Sequence, residues 1–239
     1  MRVVVTNVSS RIIPEDGVEA RALSAATSRL SVLAPGAQYT YLYKMKKWDG
    51  KVYVAKKENQ DFVVPTGYLP TFLQSLTGAN NFRITLDDKR PIKNLTLQNT
   101  RVQLRPYQQE AIGAVLQHTY ADTWWPRGVV RLATGLGKTE VAVAMLEMVN
   151  RPSLFLVHRK DLLDQAHKRM LKYGLQAGRV GDGEFDPQFH TVATVQTLGS
   201  LMESAPEKLG FLRDVEFAFV DEAHGVGCVG PGGRGAVHE

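Results

Sequence analysis

The stretch Gly135-Leu136-Gly137-Lys138-Thr139 constrains this chain more than any other. It follows the apolar run at residues 128–132 and leads into the largely apolar segment 138–150. A buried strand, a glycine-bearing turn and a helix, in that order, make a loop that can cradle phosphates. Glycines let backbone N–H groups converge on an anion, and the helix N-terminus adds favourable partial charge. Lys138 would neutralise the β- and γ-phosphates of a nucleotide, and Thr139 would offer its hydroxyl to Mg²⁺. The strict form of the pattern opens on glycine, where this chain carries Leu132.

A second motif, Asp221-Glu222-Ala223-His224, follows the apolar run at residues 215–220. Two adjacent carboxylates at a strand end can divide their labour. Asp221 suits the metal, and Glu222 suits the general base that takes a proton from water. The motif begins 83 positions after Lys138, room for two intervening strands. The two motif strands are therefore expected to be close neighbours in one sheet.

From residue 102 onward strands and helices alternate. Helices are expected at 103–117, 138–150 and 161–173, the last capped by Asp161. Buried strands are expected at 128–132, 153–158, 191–195 and 215–220. Such alternation implies α/β architecture with a parallel sheet covered on both faces. The first part of the chain reads differently, as a small α+β domain. A strand at 2–6 precedes a helix at 18–33, closed by Ala34-Pro35-Gly36. Tyr39, Tyr41 and Tyr43 fall at strand period. Trp48-Asp49-Gly50-Lys51 reads as a hairpin turn returning through 51–55. A short helix at 68–76 and a strand at 82–86 follow. The polar stretch 89–99 is the expected linker, which divides the chain into 1–97 and 98–239.

Bulk properties exclude several classes. A lone cysteine, Cys228, rules out an internal disulfide framework and fits a reducing compartment. No apolar run reaches membrane-spanning length, and the N-terminus lacks the hydrophobic stretch of a secretory signal. A cytoplasmic protein with no membrane partner is expected. The net charge of +5 leans toward a polyanionic partner.

Taken in order, these motifs resemble those of superfamily 2 helicases and translocases of the DEAH type, in the first RecA-like lobe. Leucine at position 132 is common in that superfamily. The resemblance covers residues 102–224 and implies ATP and Mg²⁺ as cofactors and DNA as partner. The loop residues Thr134, Gly135, Leu136, Gly137, Lys138 and Thr139 would hold the nucleotide, with Thr139 and Asp221 on the metal. Lys138, Asp221 and Glu222 would carry the chemistry. Leu104-Arg105-Pro106-Tyr107-Gln108 resembles the adenine-reading motif, in which Gln108 would bond the adenine edge with Arg105 nearby. Leu156-Val157-His158-Arg159-Lys160 resembles motif Ia, and Val192-Ala193-Thr194-Val195-Gln196 motif Ib. His158, Arg159, Thr194 and Gln196 would then touch the nucleic-acid backbone.

In the first domain, lysines at 44, 46, 47, 51, 56 and 57 surround Tyr41, Tyr43, Trp48 and Tyr53. Lysines can neutralise phosphates while aromatic rings stack on unpaired bases. The same composition also suits a solvated sheet edge. The segment around Lys47, Trp48 and Lys51 resembles the small N-terminal domain of phage recombination and repair helicases of the UvsW kind, which implies a DNA-engaging role in a phage or bacterial cytoplasm. Two other readings stand beside this one: a catalytically silent DNA-binding module, and the motor part of a restriction endonuclease, whose subunits share the same lobe motifs. A complete enzyme of the superfamily also needs a Ser-Ala-Thr-type coupling motif and a second RecA-like lobe, and neither occurs in the sequence. The glycine-rich tail 225–239 does not read as a folded continuation; a truncated or frame-shifted chain is the simplest expectation, with a natural flexible tail as the alternative.

Overall fold

The computed structural model describes residues 1–34, 36–77, 82–90, 96–120, 123–124 and 126–223. Pro35, part of the expected linker (91–95), His224, Cys228 and the tail lie outside these residues. The chain forms two compact units. Met1–Lys93 with Tyr120–Thr123 make the first, and Asn94–Thr119 with Trp124–Glu239 the second.

The first unit is built on a sheet of order β5-β6-β2-β1-β7. Its strands are β1 (Arg2–Val5), β2 (Ser9–Ile13), β5 (Lys56–Glu58), β6 (Asp61–Pro65) and β7 (Thr85–Asp88). Neighbours are antiparallel except β1 and β7, which run parallel. Val3 and Val5 alternate inward on β1, as Phe62 and Val64 do on β6. With Leu23 of α1 (Gly17–Arg29) and Phe72 of α3 (Leu69–Thr77), these side chains are fully or almost fully buried. Asp16 caps α1 by accepting from the N–H groups of Val18 and Glu19. Buried Glu19 in turn accepts from the Met1 ammonium at 2.8 Å and from the Glu15 N–H at 2.7 Å.

Three expectations for this unit change. The helix stops at Arg29, and Ser31–Leu33 becomes strand β3. It pairs antiparallel with β4 (Lys51–Tyr53), Val32 opposite Val52. The expected hairpin strand over Tyr39–Tyr43 is instead a 3-10 turn, Ala37–Tyr39, followed by one helical turn, α2 (Tyr41–Lys44). Thr40 caps α2 through the Tyr43 N–H, and β4 already has β3 as its partner. The strand expected at 82–86 sits slightly later, where Thr85 pairs with Arg2.

The second unit contains α4 (Pro106–Leu116). After it, β8 (Thr119–Tyr120) and β9 (Thr123–Trp124) form a two-stranded ribbon, of which Tyr120 and Thr123 group with the first unit. Ahead of α4, Leu97 packs on the core and the Gln98 N–H donates to Met148 O. Its main sheet has the order β12-β11-β13-β10-β14. The members are β10 (Ser153–Val157), β11 (Ala177–Gly181), β12 (Glu184–Asp186), β13 (His190–Thr194) and β14 (Phe217–Val220). Four strands are parallel, and β12 runs antiparallel at one edge. Strand alternation serves two cores. Phe155, Val157 and Val192 face α4, α5 (Lys138–Val149) and α6 (Lys160–Lys172). Leu154, Leu156 and Ala193 face α7 (Val195–Ser204) and the 3-10 segment Pro206–Asp214. Burial on both faces explains the near-continuous apolar strands.

Two expected buried strands behave otherwise. Residues 128–132 pair with no strand among the described residues, and Val129 is 90% exposed. Val130 and Leu132 still pack against the core. β14 is shorter than expected and only half-buried, and among the described residues it forms the sheet edge with β10 as its one paired neighbour. Helix α6 starts at Lys160, with Arg159 rather than Asp161 at the cap position. No helix among the described residues is long and apolar enough to cross a membrane.

Candidate nucleotide site and nucleic-acid face

The phosphate loop turns at Thr134 and Gly135, where the Leu136 N–H donates to Ala133 O at 3.2 Å. Gly135 (φ 82°) and Gly137 (φ 78°) occupy the left-handed region that glycine alone enters freely. A Cβ on Gly137 would also meet Gln108 Nε2 at 2.5 Å. Gly137 is the cap of α5 and offers no side-chain acceptor, so the first amides of the helix keep their hydrogen-bonding capacity for an anion. Lys138 and Thr139 stand in that first turn, half-buried. The rest of α5 is almost wholly buried, which makes it a rigid support.

The carboxylates arrive from β14. The Asp221 N–H donates to Leu156 O at 2.9 Å, extending the pairing with β10 past the strand end. Glu222 then adopts φ 50°, a strained conformation for a side chain with Cβ. Its N–H donates to Asp221 Oδ1 at 3.0 Å. This turn aims the Glu222 carboxylate back at the loop, where Lys138 Nζ donates to its Oε1 at 3.3 Å. Both side chains remain 32% exposed, so the pair faces solvent rather than a sealed interior.

Gln108 is 4% exposed and tied to the same loop. Its Nε2 donates to Leu136 O at 2.9 Å, and its Oε1 accepts from the Arg105 N–H at 2.8 Å. Tyr107, to which the sequence reading assigned no role, donates its hydroxyl to Leu136 O at 3.1 Å and accepts from Arg105 Nη1 at 3.2 Å. Its adjacency to Gln108 was the available signal. Glu147 of α5 anchors the approach to this cluster by accepting from Thr100 Oγ1 and the Arg101 N–H. Burial works against charge on Glu147, yet these bonds and the Arg101 guanidinium hold its carboxyl below its ordinary range.

The four residues proposed for the nucleic-acid backbone divide. His158 and Arg159 follow β10, and the exposed Gln196 lies in the first turn of α7. Gln196 Nε2 donates to His158 O at 2.7 Å, which joins the ends of β10 and β13. His158 Nδ1 is buried without a hydrogen-bond partner, and Arg159 donates to Asp161 at 3.1 Å. Thr194 differs. It is 7% exposed, accepts from the Thr197 N–H as the cap of α7 and donates to Thr197 Oγ1 at 2.7 Å. In the first unit Lys47 and Lys51 are exposed, while the half-buried Trp48 donates its indole N–H to Lys51 O at 3.0 Å.

Fold and motifs together define the first RecA-like lobe of a superfamily 2 helicase. The family described as the res subunit of type III restriction enzymes (ResIII) matches residues 101–228, and the chain belongs to it. The chain is 31% identical over 125 residues to the DNA 3'-5' translocase XPB2 of Sulfurisphaera tokodaii, an alignment covering 52% of this chain and 26% of that relative. It thus spans about a quarter of the relative's length. Among solved structures, the UvsW helicase from bacteriophage T4 superposes with TM-score 0.60 over 94% of this chain and 93% of that one, at 15% identity. A second T4 UvsW structure gives 0.57 over 94% and 53%, at 16% identity. These two likenesses establish the fold.

Proposed function

We propose that this chain supplies the ATP-binding lobe of a DNA helicase or translocase, with its first unit as a DNA-engaging accessory domain. The observation that supports it best is the meeting of Lys138 and Glu222, which puts a phosphate-neutralising cation beside a general-base carboxylate. MgATP fits the residues present. The first amides of α5 and the loop glycines suit phosphates, and one hydroxyl with one carboxylate suits a metal that keeps waters and phosphate oxygens. In this reading Thr139 and Asp221 hold Mg²⁺, Lys138 neutralises the β- and γ-phosphates, and Glu222 takes the proton of the attacking water. The bound metal would stabilise charge developing on the transferred phosphate. Gln108, with Arg105 beside it, would couple the adenine edge to the loop it already holds. His158, Arg159 and Gln196 would meet the DNA backbone, with Thr194 supporting them as a cap.

Turnover in this superfamily draws on an arginine supplied by a second lobe, an effect worth about 10³–10⁵ in rate where it has been measured in related enzymes. The 239 residues carry the motifs of one lobe. The purified chain should therefore bind MgATP and DNA while hydrolysing near background. A steady-state ATPase assay with and without DNA tests this. Turnover at full enzyme rates that is lost in Lys138→Ala would overturn the second-lobe dependence.

The family description also supports a second reading, the motor of a restriction enzyme. Its ATP chemistry would be the same. That reading predicts Mg²⁺-dependent DNA cleavage in an assembly that contains this chain, which gel analysis of plasmid substrates detects. DNA binding indifferent to ATP, with Lys138→Ala silent, would instead favour a catalytically silent module.

A further inference from the structure

The first unit carries an exposed apolar surface outside the ATP site. The β3–β4 ribbon is bare on both faces. Val32 and Val52 oppose each other on one face, 52% and 50% exposed, while Leu33 and Tyr53 lie on the other. Beyond it, Tyr39 and Tyr41 flank the Thr40 cap at 77% and 70% exposure. A two-stranded ribbon with neither face covered is marginal in water, so a surface like this marks a partner.

Hydrogen bonds among residues 34–53 order the surrounding loop. Gly50 has φ 75°, and a Cβ there would lie 2.8 Å from the Tyr43 ring. The Gly50 carbonyl accepts from the Ala34 N–H, and the Tyr53 hydroxyl donates to Asp49 at 3.0 Å. The hydrogen bond from Trp48's indole N–H to Lys51 O makes that residue a pin for the loop rather than a free ring.

Charge selects the partner. Residues 31–57 contain six lysines and a single acid, Asp49. Asp49 is engaged by the Lys51 N–H and by Tyr53. Lys44, Lys46, Lys47 and Lys51 form no ion pair among the described residues. Protein interfaces are depleted in lysine, whereas grooves for unpaired nucleic acid interleave lysines with aromatic rings. We propose that Tyr39 and Tyr41 form a stacking platform for the bases of single-stranded DNA, with Lys44, Lys46 and Lys47 tracking its phosphates. This rests on the DNA-acting reading above and names its substrate as the unpaired strand.

Fluorescence anisotropy of the full chain with labelled oligo-dT and with a duplex of equal length tests the platform. Replacing Tyr39 and Tyr41 by alanine should weaken oligo-dT binding by roughly 10–100-fold and leave duplex binding within about twofold. Phenylalanine at both positions keeps the rings and should retain binding, which separates stacking from a folding defect. Lys46→Ala with Lys47→Ala should flatten the salt dependence by about one to two phosphate contacts. Unchanged oligo-dT affinity in the double alanine variant, or an equal loss for duplex, overturns the platform. Binding to anionic phosphatidylserine vesicles in preference to oligo-dT overturns it in favour of a lipid surface. Lys138→Ala separates the two proposals: it should weaken MgATP binding at least tenfold and leave oligo-dT binding intact. MgATP affinity unchanged by this substitution refutes the ATP-site reading alone.

Discussion

Lys138 Nζ donates to Glu222 Oε1 across 84 positions of sequence, so the proposed phosphate loop is bridged to the carboxylate proposed as general base. The contact brings the ends of α5 and β14 together and gives the ammonium an anionic partner before any phosphate arrives. Nucleotide must compete with that carboxylate for the same cation.

Glu222→Gln removes the competing charge. An ion pair this exposed is worth about 0.5–1 kcal/mol, so MgATP affinity should rise roughly three- to fivefold. Titration with a fluorescent ATP analogue reads the change. Weaker binding in the variant would mean that Glu222 holds nucleotide rather than competing with it.

Gly137→Ala meets two obstacles, the φ of 78° and the 2.5 Å approach to Gln108 Nε2. The conformational part alone costs about 1–2 kcal/mol. Nucleotide binding should fall at least tenfold, and adding Gln108→Ala should recover only part of it. Full recovery in the double variant would show that the backbone conformation is not required.

Burial pushes the His190 imidazole down to about 4, while its Nδ1 shares a hydrogen bond of 2.7 Å with Ser153 Oγ. A histidine held neutral by the fold gives stability that is complete above its unfolded value near 6.5. That stability is lost as pH falls from there toward 4, by about 2 kcal/mol at pH 5. Thermal melts at pH 7.5 and 5 should differ by less in His190→Asn than in the parent. An equal shift in both would place the acid sensitivity elsewhere.

Glu19 secures the first unit through the Met1 ammonium. Burial works against the charge on that ammonium, but Glu19 and Glu15 keep its pKa above the usual 8.0. Its contribution is therefore full below pH 8 and declines as pH rises through the elevated value. Glu19→Ala should cost about 3 kcal/mol, read by calorimetry as a lowered transition. An unchanged transition would show that the ammonium finds water instead.

The legible parts of the sequence were those where local pattern and local chemistry coincide. Residues 138–150 and 153–158 were readable because α5 is apolar all round and β10 is buried on both faces. The position of Asp221 and Glu222 just past the end of β14 was legible because the apolar run stops there. Long-range pairing was not legible. Nothing near Ser31–Leu33 announces that its partner is Lys51–Tyr53, and Thr40 turned an alternating tyrosine pattern into helix. The β11–β12 hairpin was missed because its sequence is glycine-rich. Gly178 is needed there, since a Cβ would fall 1.9 Å from Asp186 O. Residues 128–132 read as a strand from composition, yet they pair with no strand among the described residues, although β14 keeps one edge open there.

The most direct test is isothermal titration of MgATP into the 239-residue chain and into Lys138→Ala, with circular dichroism confirming that both fold. The parent should bind one equivalent, and the variant should bind at least tenfold more weakly. Equal affinity in the two proteins would contradict the assignment of this loop and the DEAH turn to a single nucleotide site.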